Sequence, residues 1–191
     1  MTRKAPLVLF YGIQGQRLEA WKQLADQAGF LLRPVGDEEM DETIESLMAK
    51  GQVAALDCPA MTFEKPLEHA LFVGLSGQAL SDFLDACQER GLYIPLKAGL
   101  TDTNRAWPYR KLIEENAKED AFMKRFRMAS QAFSLAEEVL KEAPDAELSR
   151  LKKEMGAFLE DPKEEQVAFF DQLYPRFMSR LEAVLGARKE G

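Results

Sequence analysis

The segment LFYGIQGQ beginning at Leu9 returns as LFVGLSGQ beginning at Leu71, and this repeat limits the fold more than any other feature of the chain. Aligned over 7–36 and 69–99, Leu18 falls on Leu80, Trp21 on Phe83 and Gly29 on Gly91; one residue inserted near Tyr93 then brings Gly36 onto Gly99. Each copy reads as an apolar strand ending at a glycine (7–11, 70–73), an amphipathic helix and a second strand (30–35, 93–98). Leu18, Trp21, Leu24 and Ala28 share one face of the first helix; Leu80, Phe83, Leu84 and Cys87 share one face of the second. Gly29 and Gly91 stand where a helix C-cap needs positive φ. A single β-α-β unit cannot bury its own sheet face. Two of them related by a pseudo-twofold predict an α+β fold, a duplicated βαβ ferredoxin-like plait with both helices on one face. A further helix follows each copy, at 40–49 and from Pro108, so a flavodoxin-like βαβα repeat is the alternative. VAALD (53–57) offers an edge strand in the connector.

From Pro108 the pattern changes. Phe122, Phe126, Ala129, Phe133, Ala136 and Leu140 form one helical stripe that Pro144 stops, and Leu148, Leu151, Met155 and Phe158 form the next. DPKE (161–164) reads as a helix start, with Asp161 as N-cap and Pro162 at the first position. Val167, Phe170, Leu173, Phe177, Leu181 and Val184 carry the last helix, with a kink expected at Pro175. The organisation expected is a duplicated domain at 1–107 and an all-α C-terminal extension at 108–191.

Charge narrows the function classes. The formal net charge is −7, shared by both parts, and neither offers the positive field that nucleic-acid backbones require. The opening Arg3, Lys4 and LVLFYGI lack the length and cleavage site of a signal peptide, and no apolar run reaches spanning length. Cys58 and Cys87 form neither a disulfide framework nor a metal knuckle. The expectation is a cytoplasmic protein with no nucleic-acid or membrane partner.

Two places attract a ligand hypothesis. The turns GIQG (12–15) and GLSG (74–77) put Gly12, Gly15, Gly74, Ser76 and Gly77 at helix N-termini, where backbone N–H groups can face an anion; the bland reading is turn geometry, with Ser76 as a cap. LTDTNRAWPYRK (100–111) departs from the repeat, since the first copy has only VGDEE before its helix. Thr101, Thr103, Asn104 and Trp107 there form either a polar pocket or a turn that caps the next helix. DEEMDETIE (37–45) reads as acidic residues complementing a helix dipole rather than as a metal site. A Cys58–His69 nucleophile–base pair has no support from spacing, and Cys87 reads as core.

LFVGLSGQALSDFLDACQERG followed by IPLKAGLTDTNRAWP resembles a family of small bacterial proteins catalogued as a domain of unknown function. The resemblance covers about 69–115 and implies a core module there, on Gly74, Gly77, Leu100, Thr101, Thr103, Asn104 and Trp107, with no activity or cofactor attached. The functional expectation is a non-catalytic binding or regulatory module. It would engage a small-molecule ligand, a protein partner or a second copy in a homodimer through the LTDTNRAW turn or an open sheet face. The alternative is an enzyme acting on a small anionic metabolite at the glycine turns. A third reading is an adaptor that binds a basic partner through the acidic helix at 38–49 and the helical tail. No catalytic residue, metal or cofactor is expected.

Overall fold

The two apolar strands that open the copies, β1 (Leu7–Tyr11) and β3 (His69–Val73), lie antiparallel at the centre of a four-stranded sheet. The computed structural model describes residues 6–50, 67–75 and 77–190; VAALD, Cys58 and Ser76 lie outside them. The register runs from Leu7↔Val73 to Tyr11↔His69 and centres on Leu9↔Leu71, so equivalent positions of the repeat meet on a local two-fold. β2 (Leu31–Pro34) pairs parallel with β1, and β4 (Leu96–Gly99) parallel with β3, giving the order β2-β1-β3-β4. The same two-fold relation recurs at the bridge between Thr43 and Pro108. There the Ile44 N–H donates to the Trp107 carbonyl and the Tyr109 N–H donates to the Glu42 carbonyl, both at 3.0 Å.

This order departs from both expected sheets. In a plait the two strands of each βαβ unit are separated by a strand of the other; here they are neighbours. In a flavodoxin-like sheet every strand is parallel; here the central pair is antiparallel. The central strands explain why no face stays open. Val8, Phe10, Ala70 and Phe72 point to one side, where α1 (Gly15–Ala28) and α3 (Gly77–Glu89) cover them with Leu18, Trp21, Leu24, Phe83 and Cys87. Leu9, Tyr11 and Leu71 point to the other side, under α2 (Ile44–Lys50) and the first turns of α4 (Tyr109–Glu142), through Met40, Ile44, Leu47, Tyr109, Leu112 and Ile113. Strands that are apolar on both sides need helices on both sides. The second helix of each repeat supplies that cover, and the open face expected from the sequence does not exist in this sheet.

The chain divides into two units, Met1–Lys118 and Glu119–Gly191, with α4 running through the division. In the second unit α4, α5 (Ala146–Glu160) and α6 (Val167–Glu190) share one core. Its aromatic centre stacks Phe158 on Phe170 at 4.6 Å between centroids. At Gly156 an added Cβ would meet Phe133 Cε2 at 2.9 Å. That glycine therefore permits close approach of α4 and α5. Asp145 caps α5 by accepting from the Leu148 N–H at 2.7 Å, and Arg180 of α6 pairs with the same carboxylate. Asp161 closes α5 instead of opening the last helix. Pro162 cannot continue α5, and a 3-10 turn, Glu164–Gln166, leads into α6. Pro175 sits inside α6.

Gly12 shows what the glycine-ended strands require. Its φ is +76° and a Cβ would lie 1.9 Å from the Leu67 carbonyl oxygen, whereas Gly74, at φ +73°, faces nothing within 4 Å. Gly74→Ala should cost about 1–2 kcal/mol in urea denaturation, the strain of left-handed backbone. Gly12→Ala should cost clearly more, because backbone must also move.

Candidate functional site

Strand hydrogen bonds reposition the LTDTNRAWP segment relative to the repeat. The Val35 N–H donates to the Phe10 carbonyl (2.8 Å) and the Leu100 N–H to the Phe72 carbonyl (3.0 Å), so Val35 and Leu100 are counterparts. From each of them to the Thr43–Pro108 bridge the chain has the same length. The segment is no insertion. Gly36 corresponds to Thr101 and Glu39 to Asn104, and the side chains act alike: the Gly36 N–H donates to Glu39 Oε2 and the Thr101 N–H to Asn104 Oδ1. Asn104, 7% exposed, also donates from Nδ2 to the Gly99 carbonyl at 3.0 Å, and its own N–H donates to Thr101 Oγ1 at 3.1 Å. Its amide is spent inside its own turn. Thr101 and Thr103 are exposed, and Trp107 is half-buried beneath the Lys111 ammonium, 4.4 Å from its ring centroid.

The glycine turns do not form one site. β1 and β3 are antiparallel, so Gly12 and Gly15 follow one end of the sheet while Gly74 and Gly77 follow the other. Gly12, Gly15 and Gly74 have positive φ and Gly77 does not.

The acidic segment is neutralised piece by piece. Asp37 accepts from the Tyr11 hydroxyl, Asp41 from Arg110, and Glu42 from Lys50 and Ser46. Its helix is shorter than expected, with a 3-10 turn, Asp37–Glu39, before α2. Glu39 also receives Arg33, whose side chain is 0% exposed, at 2.6 Å. Burial pushes the Glu39 carboxyl up, but the hydrogen bonds from Arg33 and Lys50 outweigh it and hold it below its ordinary value. Among the described residues no group of three His, Cys, Asp or Glu side chains has the geometry to hold a metal ion.

His69 opens β3 fully buried. The Tyr109 hydroxyl donates to the Leu9 carbonyl at 3.2 Å, which leaves it to accept from His69 Nδ1–H at 2.9 Å. His69 Nε2 is then free to accept from Asn116 Nδ2 at 3.0 Å. The network is complete only for the neutral ring, and burial holds the imidazole pKa down to about 3. This histidine is a core residue in a satisfied network.

The two halves also differ in length at one connection. The connection from Gly91 to Leu96 is three residues longer than the one from Gly29 to Leu31. The strand expected at 93–98 therefore begins only at Leu96, after Pro95, which has no amide hydrogen for the ladder. The extra residues form one wall of a cleft of about 200 Å³ lined by Trp21, Leu84, Cys87, Gln88, Leu92, Tyr93, Ile94 and Lys97. Arg17 of α1 fastens this wall. It is held by both oxygens of Glu68 and donates to the Gly91 and Tyr93 carbonyls at 3.2 and 2.9 Å.

The chemistry of the cleft is unusual for its depth. Trp21 is 1% exposed and its Nε1–H has no hydrogen-bond partner, although a buried indole N–H normally finds one. Its one polar interaction is a weak one with the Cys87 thiol. Burial pushes the Cys87 thiol up, and the indole N–H and Arg90 only moderate the shift. At the mouth, the Lys97 ammonium lies 4.6 Å from the Tyr93 ring centroid and 3.4 Å from the Ile94 carbonyl. Tyr93 is 56% exposed.

Comparison with known proteins places one segment. Residues 70–123 match the family model described as domain of unknown function (DUF3783). That stretch contains β3, α3, β4, the Asn104 turn and the first turns of α4, and all of the cleft except Trp21. No curated protein and no solved structure matches the chain. No described helix is long and apolar enough to cross a membrane.

Sequence patterns do not single out Trp21, Tyr93 or Lys97 as site residues. The only signal is the gap near Tyr93 in the repeat alignment.

Asn104→Ala should destabilise by about 1–3 kcal/mol, because it leaves the Thr101 N–H and the Gly99 carbonyl without partners. Asn104→Asp, which keeps the acceptor, should lose less in chemical denaturation. For His69 the folded pKa lies below the unfolded value near 6.5. The unfolded chain therefore binds the proton first, and stability falls as pH drops from about 6.5 towards 3, by up to roughly 1.4 kcal/mol per pH unit. Stability measured between pH 7 and 5 should show that slope, and His69→Gln should flatten it.

Proposed function

We propose that this chain is a small-molecule binding module and that its ligand site is the cleft between α1, α3 and β4. The observation that carries the reading is the wall of that cleft, formed by the extra residues between Gly91 and Leu96, where the two halves differ in length. Arg17 supports it by holding the rim in place through two backbone carbonyls, which reduces the ordering a ligand would have to impose.

The reading keeps the binding module expected from the sequence and moves its centre from the LTDTNRAW turn to the cleft. Asn104 serves that module as the residue that shapes the end of β4. The fold is read as an internal duplication of a βαβα unit, on the matching registers about Leu9–Leu71 and Thr43–Pro108. The divided chain then consists of a sheet domain that binds and a helical extension with a core of its own. Catalysis is not part of the proposal, since the thiol in the cleft is held protonated and the single histidine is locked in the core.

Leu84 stands half-buried on the cleft wall, so Leu84→Trp fills the cleft from its rim. In a thermal-shift screen against small metabolites, a ligand at ~100 times its dissociation constant should stabilise the wild type by about 2.7 kcal/mol. The same ligand should leave the melting temperature of a folded Leu84→Trp protein unchanged. Equal shifts in both proteins would place the ligand elsewhere and defeat the proposal.

A further inference from the structure

The two edges of the sheet, β2 and β4, end differently. On β2, Pro34 has no N–H to offer, its carbonyl accepts from the Arg33 guanidinium at 3.3 Å, and the Gly36 N–H donates to Glu39. On β4, the Leu100 N–H donates to the Phe72 carbonyl. With Leu71 opposite Ala98 and His69 opposite Leu96, the peptide groups of Leu96 and Ala98 then face β3, and those of Lys97 and Gly99 face away from the sheet. The Asn104 amide takes the last outward pair, the Gly99 carbonyl and the Thr101 N–H. What remains is the Pro95 carbonyl, both backbone groups of Lys97 and the Gly99 N–H. Among the described residues none of these four groups has a hydrogen-bond partner, and Pro95, Lys97 and Gly99 are exposed. We infer that this edge pairs with β4 of a second copy of the chain, antiparallel about a two-fold axis at Lys97, and so joins two sheets into one.

The edge is complementary to itself. About that axis each Lys97 N–H donates to the partner's Lys97 carbonyl, and each Gly99 N–H donates to the partner's Pro95 carbonyl. Opposite Gly99, whose carbonyl Asn104 already holds, stands a proline that brings no N–H to be left over. An ordinary extended peptide would place an N–H there. Unpaired backbone groups are costly to bury, so the match favours β4 itself as the occupant. The side chains agree. A Cβ at Gly99 would meet nothing within 4 Å, which leaves room for the partner's Pro95 ring. Like charges directly opposite one another weaken a strand pair. Here each Lys97 ammonium is drawn back along its own chain to the Tyr93 ring and the Ile94 carbonyl, and in an antiparallel pair those two directions diverge. The pairing does not depend on the cleft being occupied.

The experiment is sedimentation equilibrium of the full-length chain over a range of concentrations, wild type beside Gly99→Pro. The substitution removes the outward N–H and copies what β2 already carries at the equivalent Pro34, and a thermal melt checks that the variant folds. The wild type should be dimeric, and Gly99→Pro should weaken the dimer by about tenfold or more, the worth of two lost backbone hydrogen bonds. Amide exchange in the nitrogen-15-labelled wild type reads the same edge without any substitution. The Lys97 and Gly99 amides should be protected in the dimer and lose that protection on dilution to the monomer. A wild type that stays monomeric up to millimolar concentration overturns the proposal. So does a dimer that a folded Gly99→Pro leaves unchanged, or one whose Lys97 and Gly99 amides exchange as freely as those of an open loop.

Discussion

The antiparallel pairing of β1 with β3 is the contact on which the rest of the first unit depends. Its register places Leu9 against Leu71, the same position of the repeat, so the outer strands β2 and β4 pair alike on either side of a local two-fold. Because both strands are apolar on both faces, each face must be covered. One face takes the first helix of each half, α1 and α3; the other takes the second helix of each half, α2 and the first turns of α4. The crossed hydrogen bonds of Ile44 and Tyr109 to Trp107 and Glu42 then tie the second pair of helices together about the same axis.

Buried polar groups are where the two halves of this frame differ. His69, Tyr109 and Asn116 form a buried network at positions where the first half has Leu7 and Ile44 for the first two. Arg33, buried beside Glu39, faces no charge at its counterpart Ala98. Each network is anchored to a backbone carbonyl, Leu9 for one and Pro34 for the other. Desolvation makes such groups costly unless paired, and the pairing here is nearly complete, Arg33 Nε and Trp21 Nε1 being the two orphaned atoms among the described residues. The first lies in a closed core. The second lies against the Cys87 thiol.

The cleft joins these themes. Three extra residues between α3 and β4 cannot continue the helix past Gly91, and Pro95 keeps them out of the ladder, so they stand out from the sheet as a wall. Arg17 crosses from α1 to hold that wall, anchored on Glu68 just ahead of β3. The cleft thus has its floor in the shared core and one wall in the segment the two halves do not share.

Much of this organisation was legible in the sequence. The apolar runs, the helical stripes and the glycine C-caps are local patterns that one strand or one helix expresses alone, and Cys87 could be placed in the core from its helix face. The Asn104 turn is misplaced by sequence alignment for a physical reason. Matching Gly36 to Gly99 is the better match of letters, but strand hydrogen bonds to Phe10 and Phe72 set the true correspondence two residues further on. Sequence therefore determined which segments form most of the elements, the glycine ends of α1 and α3, and that two similar segments pack together to bury their strands. Strand order, the covering of both sheet faces, the neutral tautomer of His69 and the gathering of Trp21, Tyr93 and Lys97 around one cleft were decided only in three dimensions. Each depends on contacts between residues far apart in the chain, and local periodicity carries no record of such partners.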